Sequence, residues 1–436
     1  MAQRVIPHSR DFVPVLAMRS HLAQPTPARM ARAKESMEMR RKIPHVSNSA
    51  MAAFIKYAQE NDLSTHVANK RSLKRDRDMC LEDTPFGPML ITVPLASKSP
   101  PRSIGMVMVN PMSFLYTAVN QPGGFSDRFN ALWRSNPSTP ESPWRLVLYA
   151  DEVVPGNQLS VVNKRKVWVF YFSFLEFGRQ LSDENVWIPL AAEPSYGLKD
   201  VSAGISQVTA ALLKQFFGAR TFDLHKGGIL LKRPDGSVFR LFARLDMFLN
   251  DGGAHKLIFG CKGDAGSRFC MLCKNLVSRS SSLTDTDGTN LLVCGHVYDS
   301  ELKFATNSDI RGAIRRVSEY KLTDSSADFK LRSQAIGFSF QPDGLLFDTA
   351  LLDVVYPSDQ YCHDWMHGMC ANGVANLVIS QALFALERVT RIWTMVQKCV
   401  DLWHWPACLR FSDDLFSPER VNSYRKPRQS RCPHLN

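Results

Sequence analysis

The segment Asp251–Cys273, DGGAHKLIFGCKGDAGSRFCMLC, constrains this chain more than any other. It places an acidic residue at the end of an apolar run, follows it with a glycine-punctuated turn, and closes with a C-x-x-C pair. Carboxylates at strand ends bind hard cations, whereas cysteines two residues apart bind soft ones. Both features in one segment predict a metal-dependent site beside a zinc-stapled insert.

The rest of the chain must supply the partners. At 436 residues it can bury two or three domain-sized cores. From Trp144 the pattern turns to β. Trp144–Ala150 is a short apolar strand that ends at Asp151, and Lys166–Phe174 is a second, rich in aromatics and valine. Ser202–Phe217 carries apolar residues at helical spacing, Gly228–Leu231 and Val238–Phe248 read as strands, and Asn376–Val400 reads as helix. Pro- and Ser-rich breaks fall at Ser97–Ser103 and Asn136–Pro143. The expected organisation is a basic region over 1–78, a linker and accessory segment over 79–143, a core with a C-x-x-C insert over 144–300, and a helical, truncated portion over 301–436. The expected fold is α/β: an RNase H-like core, a zinc-knuckle insert and a helical C-terminal portion. Asp151 and Asp251, on neighbouring strand ends, would share two divalent cations about 3.5–4 Å apart, an arrangement suited to phosphodiester cleavage. Aspartates also end strands without any chemical role, so the pair needs support from elsewhere.

Charge bears on the partner. The formal net charge is +12, and residues 1–78 hold 15 Lys and Arg against 7 Asp and Glu. A polyanion, most simply DNA, is the natural partner of such a balance. The densest run contains Lys70, Arg71, Lys74, Arg75 and Arg77. It reads as a phosphate-contacting arm, a nuclear-localisation signal, or a solvated helix face.

Nine of the ten cysteines lie at or beyond Cys261. Residues 1–30 lack the apolar stretch of a secretory signal, so the thiols are expected to be reduced or metal-bound. The start is Arg-containing and poor in acids, as in a mitochondrial transit peptide. The longest apolar run, Val167–Phe177, is interrupted by Ser173 and Glu176, and no membrane helix is expected. Cys270, Cys273, Cys294 and His296 have the spacing C-x2-C-x20-C-x-H, enough for a closed Zn²⁺ site. His367 or Cys362 would complete the set if the helical part folds back. Alternatively, the C-x-x-C is a tight turn of reduced thiols. Cys261, in apolar surroundings, reads as a core thiol.

Three segments together resemble CACTA-type DDE/D transposases. WRLVLYADEVVPGNQLS looks like that family's first-aspartate segment, and LNDGGAHKLIFGCKGDAGSRFCMLC resembles its second, with Cys270 19 residues beyond Asp251. Asp246 fits that spacing less well. His363-Asp364-Trp365-Met366-His367-Gly368 resembles the family's D-x-M-H segment. The matches run in order across 144–370. The resemblance implies a nuclear RNase H-like core that binds transposon ends and cleaves DNA with Mg²⁺ (or Mn²⁺). Asp151 and Asp251 would hold the metal, with Asp364 and His367 in support; self-association stays open. Gly252-Gly253 stands where the family has Leu-Pro. The family's third acidic ligand often lies well beyond D-x-M-H, where this chain offers Glu387, Glu419, Asp413 and Asp414. Trp393, Trp403 and Trp405 read as helix-packing residues, with base stacking the alternative. The leading function is thus a transposase-like DNA-cleaving core, a truncated or inactive copy included; the alternative is a non-catalytic DNA-binding or zinc-scaffold protein derived from a transposase.

Overall fold

The computed structural model describes residues 84–153, 166–218, 223–281, 283, 290–294, 298–370 and 374–402, with Lys56, Glu60 and Val421. The helix expected at Ser49–Gln59, apart from Lys56, therefore lies outside the described residues. So do the five basic residues from Lys70 to Arg77, His296, Trp403, Trp405, Asp413, Asp414 and Glu419.

The fold is mixed α/β. β1 (Leu90–Ala96) and β2 (Ser103–Val109) form an antiparallel hairpin, and α1 (Pro111–Asn120) and α2 (Gly124–Ser135) follow. The Asn110 side chain caps α1 by accepting the Met112 and Ser113 N–H groups, and proline occupies the first turn. The expected linker over 79–143 thus contains regular structure. β3 (Trp144–Val153), β4 (Val167–Phe174) and β5 (Ile188–Pro194) come next, then α3 (Ile205–Phe217). β6 (Ile229–Lys232) and β7 (Val238–Leu241) form a second hairpin ahead of β8 (Ala243–Asn250). α4 (Gly252–Ile258), the short parallel pair β9 (Leu276–Val277) and β10 (Leu292–Val293), α5 (Asn307–Thr323), α6 (Ser326–Ile336) and α7 (Pro357–Gln360) lead to β11 (Tyr361–His363). One π-helical turn spans Met366–Cys370, before α8 (Val374–Glu387) and α9 (Ile392–Leu402).

The main sheet has five strands in the order β11-β8-β3-β4-β5. β4 and β5 are antiparallel with an irregularity at Phe170/Tyr171, whereas β11 runs parallel to β8, pairing His363 with Asn250. Seven of the eight β4 residues are buried, which suits a strand covered on both faces. Val238–Phe248, expected as one strand, breaks at Phe242. The Phe242 carbonyl accepts the Trp144 N–H and its own N–H donates to the Ser138 hydroxyl, so β7 and β8 serve different sheets. The expected helix Asn376–Val400 also breaks. The Val389 and Thr390 N–H groups both reach the Leu386 carbonyl, which ends α8, and β-branched side chains there favour the stop. Trp393 packs edge-on against Phe384, with 5.4 Å between ring centroids.

By contact the chain divides into two compact units. The first comprises 1–146, 154–197 and 211–244, and its described core is aromatic. Phe129 is fully buried, with Trp144 at 5.0 Å, Phe125 at 5.7 Å, Phe174 at 6.1 Å and Phe239 at 6.4 Å between centroids. The guanidinium of Arg233 lies over the Phe239 and Trp133 rings at 4.2 and 4.8 Å.

The second unit comprises 147–153, 198–210 and 245–436. Here α5 buries Ile310, Ala313, Ile314 and Val317 against Phe338, with Cys261 and Met271 at the margin. A capping box between Thr306 and Asp309 starts α5. Among the described residues no helix is long and apolar enough to cross a membrane.

Candidate functional site

Three neighbouring strands of the sheet end in acidic residues, all within the second unit. Asp151 lies near the end of β3, Asp251 follows β8 directly, and Asp364 follows β11 directly. Each is fixed locally. The Tyr149 hydroxyl donates to Asp151 Oδ2 at 3.3 Å. Asp251 is the N-cap of α4, and its carboxylate accepts the Ala254 N–H. Asp364 accepts the Met366 N–H on Oδ1 at 2.9 Å, and its Oδ2 lies 2.7 Å from His367 Nδ1. The π-helical turn that follows carries His367 back over Asp364; such turns recur at functional sites.

The charges sense one another. Burial, and next the negative charge of Asp251, raise the Asp151 carboxyl above its usual range, against lowering by the Glu152 N–H and by His367. Burial, then the charges of Asp151, Asp364 and Asp251, push the Tyr149 phenol upward, so it stays a proton donor. For His367, burial works against the imidazolium. The hydrogen bond and charge of Asp364, with the fields of Asp251 and Asp151, outweigh it and raise the histidine above its ordinary value. The expected set Asp151, Asp251, Asp364 and His367 is therefore brought within mutual electrostatic reach. Among the described residues, no three His, Cys, Asp or Glu side chains stand in an arrangement that would hold a metal ion.

Of the two glycines after Asp251, Gly252 sits at a close approach and Gly253 does not. A Cβ at Gly252 would stand 3.3 Å from His363 Cε1, tighter than most side-chain contacts, and one at Gly253 would stand 3.5 Å from Asp251 Oδ1.

Sequence reasoning missed two buried polar residues beside the acids. Asn250 is 1% exposed; its Oδ1 accepts the Ala150 N–H at 2.8 Å, and its Nδ2 has no partner. His255 on α4 is 2% exposed. Its Nε2 lies 2.9 Å from the Cys362 carbonyl oxygen and must be the protonated nitrogen, which leaves Nδ1 as a buried acceptor without a partner. The ring stacks on Tyr361 with 3.8 Å between centroids, and burial pushes its pKa down to about 4. Neither residue had a motif to mark it.

The cysteines of the expected zinc set differ in burial: Cys273 is buried, Cys270 half-buried and Cys294 exposed. A hydrogen bond from the Cys273 thiol holds Cys270 below the usual thiol range and raises Cys273 in turn. Cys261 sits close by, its Sγ 3.5 Å from Met271 Sδ, and burial pushes its thiol up to about 12, with the charge of Cys270 adding to the shift. Cys294 is exposed and follows β10, whereas Cys273 precedes β9. Because those strands run parallel, Cys273 and Cys294 leave the ladder at opposite ends. His296 lies outside the described residues, so Cys270 and Cys273 are the expected zinc ligands that come together here.

Compared with family models and with curated proteins, the chain matches none.

Proposed function

We propose that the chain is a DNA-binding phosphodiesterase of the transposase type, built on an RNase H-like core, that cleaves and joins DNA with Mg²⁺ or Mn²⁺. The observation that carries this reading is the placement of Asp151, Asp251 and Asp364 at the ends of three adjacent strands, all within the electrostatic reach of Tyr149. The sheet order supports it: the first main strand, β3, lies at the centre, the antiparallel pair β4–β5 on one side and the parallel pair β8–β11 on the other. In this reading Asp364 takes the third acidic position.

Carboxylate oxygens are the donor type that a hard divalent cation takes. Burial and the charge of Asp251 raise Asp151, and His367 works in the opposite direction. Asp151 and Asp251 would hold the ion, with Asp364 beside them. When bound, it would neutralise charge on a phosphodiester and activate the attacking nucleophile. The chain's own groups orient the site. Tyr149 donates to Asp151, the first turn of α4 fixes Asp251, and His367 holds Asp364. Cys270 and Cys273 would supply two thiolates to a structural Zn²⁺. The basic residues Lys70, Arg71, Lys74, Arg75 and Arg77 would contact phosphates, and the basic N-terminal region suits a nuclear protein.

One observation favours a second reading, a non-catalytic DNA-binding protein derived from such an enzyme. Both oxygens of Asp364 already have partners inside the chain. Nicking of supercoiled plasmid by the full chain, with Mg²⁺ or Mn²⁺ and without, separates the two. Wild type should nick only with metal, and Asp151→Asn and Asp251→Asn should lose at least ~100-fold of that rate. DNA binding without metal-dependent nicking, unchanged by either substitution, would establish the second reading instead.

A further inference from the structure

The three acidic strand ends share one residue. Asn250 ends β8 and immediately precedes Asp251. Its side-chain oxygen accepts the N–H of Ala150, the residue before Asp151, at 2.8 Å. Its backbone carbonyl accepts the N–H of Asp364 at 2.8 Å. One residue is thus bonded to, or adjacent to, all three acids or their immediate neighbours. The amide orientation is forced, because only Oδ1 can accept a backbone N–H.

We infer that Asn250 is the positioning residue of the acidic site: it sets the spacing of Asp151 and Asp251 through the tie to Ala150. This rests on the metal-dependent reading given above. Backbone ladders fix strand spacing to within their own flexibility. At a strand end the ladder runs out, and a side-chain bond there removes freedom that the sheet leaves. Asn250 also leaves both Nδ2 hydrogens buried without an acceptor. An unpaired buried donor lowers stability, so stability alone is a poor account of an amide here. An amide that holds a carboxylate-bearing strand at a fixed distance is a better one. Precise placement matters because ligands to a divalent ion tolerate little drift, and groups that orient ligands change metal affinity by ~10–100-fold when removed.

The test uses the full chain as wild type, Asn250→Leu, Asn250→Asp and Asp151→Asn. Mn²⁺ alone is titrated by electron paramagnetic resonance, and amide hydrogen exchange is followed by mass spectrometry. Leucine keeps the branched shape at somewhat larger volume and removes the acceptor; aspartate keeps an oxygen for the Ala150 N–H. We expect Asn250→Leu to exchange the Leu148–Asp151 amides ~10-fold faster or more while α5 keeps its wild-type rate. Its Mn²⁺ affinity should fall ~10-fold or more. Asn250→Asp should restore slow exchange at Ala150. The inference is overturned if Asn250→Leu binds Mn²⁺ like wild type, if the Leu148–Asp151 amides keep their wild-type exchange, or if exchange rises equally in α5. Should Mn²⁺ uptake be identical in wild type and Asp151→Asn, the metal reading itself falls, and the exchange data alone then decide whether the tie to Ala150 exists.

Discussion

The core of the first unit and the strand ends of the second bury their side chains to opposite purposes. Around Phe129 the contacts are ring against ring, and the guanidinium of Arg233 is spread over two aromatic faces. Around Asn250 and His255 the buried groups are polar, and two of their nitrogens lack partners. The first arrangement is chiefly ring packing, although Asn130 Oδ1, Trp133 Nε1 and Arg233 Nε are buried there without partners. The second sets its unpartnered nitrogens beside acidic strand ends, where titratable groups perturbed by burial and by one another mark a candidate site for chemistry. Stability in the first region should therefore be large and indifferent to pH, and in the second smaller and pH-dependent.

The largest effect should come from breaking the aromatic side of the comparison. Phe129→Ala removes a fully buried ring with at least four aromatic neighbours, and should lower the unfolding free energy by about 3–5 kcal/mol. The loss should be the same at pH 7 and pH 5, since no titrating group contributes. Denaturant unfolding at both values checks this, and a loss below about 1.5 kcal/mol would mean that the core is looser than its packing indicates.

A smaller effect sharpens the polar side. Burial holds His255 near a pKa of about 4, whereas an unfolded histidine titrates near 6.5. The folded pKa is depressed for a base, so the stability it contributes is present above about pH 6.5. It is lost as pH falls towards 4, because the unfolded chain takes up a proton that the folded chain refuses. The loss should be on the order of 2–3 kcal/mol over that window. His255→Gln, which can still donate to the Cys362 carbonyl but does not titrate, should flatten the wild-type curve by that amount. Parallel curves for the two proteins would show that His255 is hydrated.

These two regions were not equally legible in the sequence. Runs such as Trp144–Ala150 and Lys166–Phe174 announce strands because their apolar residues are continuous, and both strands are present. Asp151 and Asp251 stand out because each interrupts such a run, and Asp364 and His367 because of their spacing. β11 was illegible: three residues, Tyr361–His363, are too few to show a period, yet that strand sets Asp364 beside Asn250. The division of Val238–Phe248 was equally hidden, since alternation reports that a strand exists and not which partner it takes. Asn250 and His255 carry no pattern at all. Their roles depend on contacts 100 and 107 residues away in the chain.

The smallest effect is the one that ties the comparison to function. Burial and the neighbouring charge of Asp251 raise the folded pKa of Asp151 above that of an unfolded carboxyl. Its contribution to stability is thus fully present below the unfolded value, near pH 4, and is lost as pH rises through the folded value. At pH 7 the ionised Asp151 is a net burden on the fold. Asp151→Asn removes that burden while keeping an acceptor for the Tyr149 hydroxyl. The part of the carboxyl that faces solvent is screened, and His367 already offsets some of the repulsion, so the gain should be modest, roughly 0.3–1 kcal/mol at pH 7. It should vanish near pH 4, where the wild-type carboxyl is protonated too. Chemical unfolding of both proteins at the two pH values measures the difference. A variant less stable than wild type at pH 7 would mean that Asp151 is held by partners stronger than the repulsion it bears, and the strand ends would then resemble the aromatic core: built for stability first.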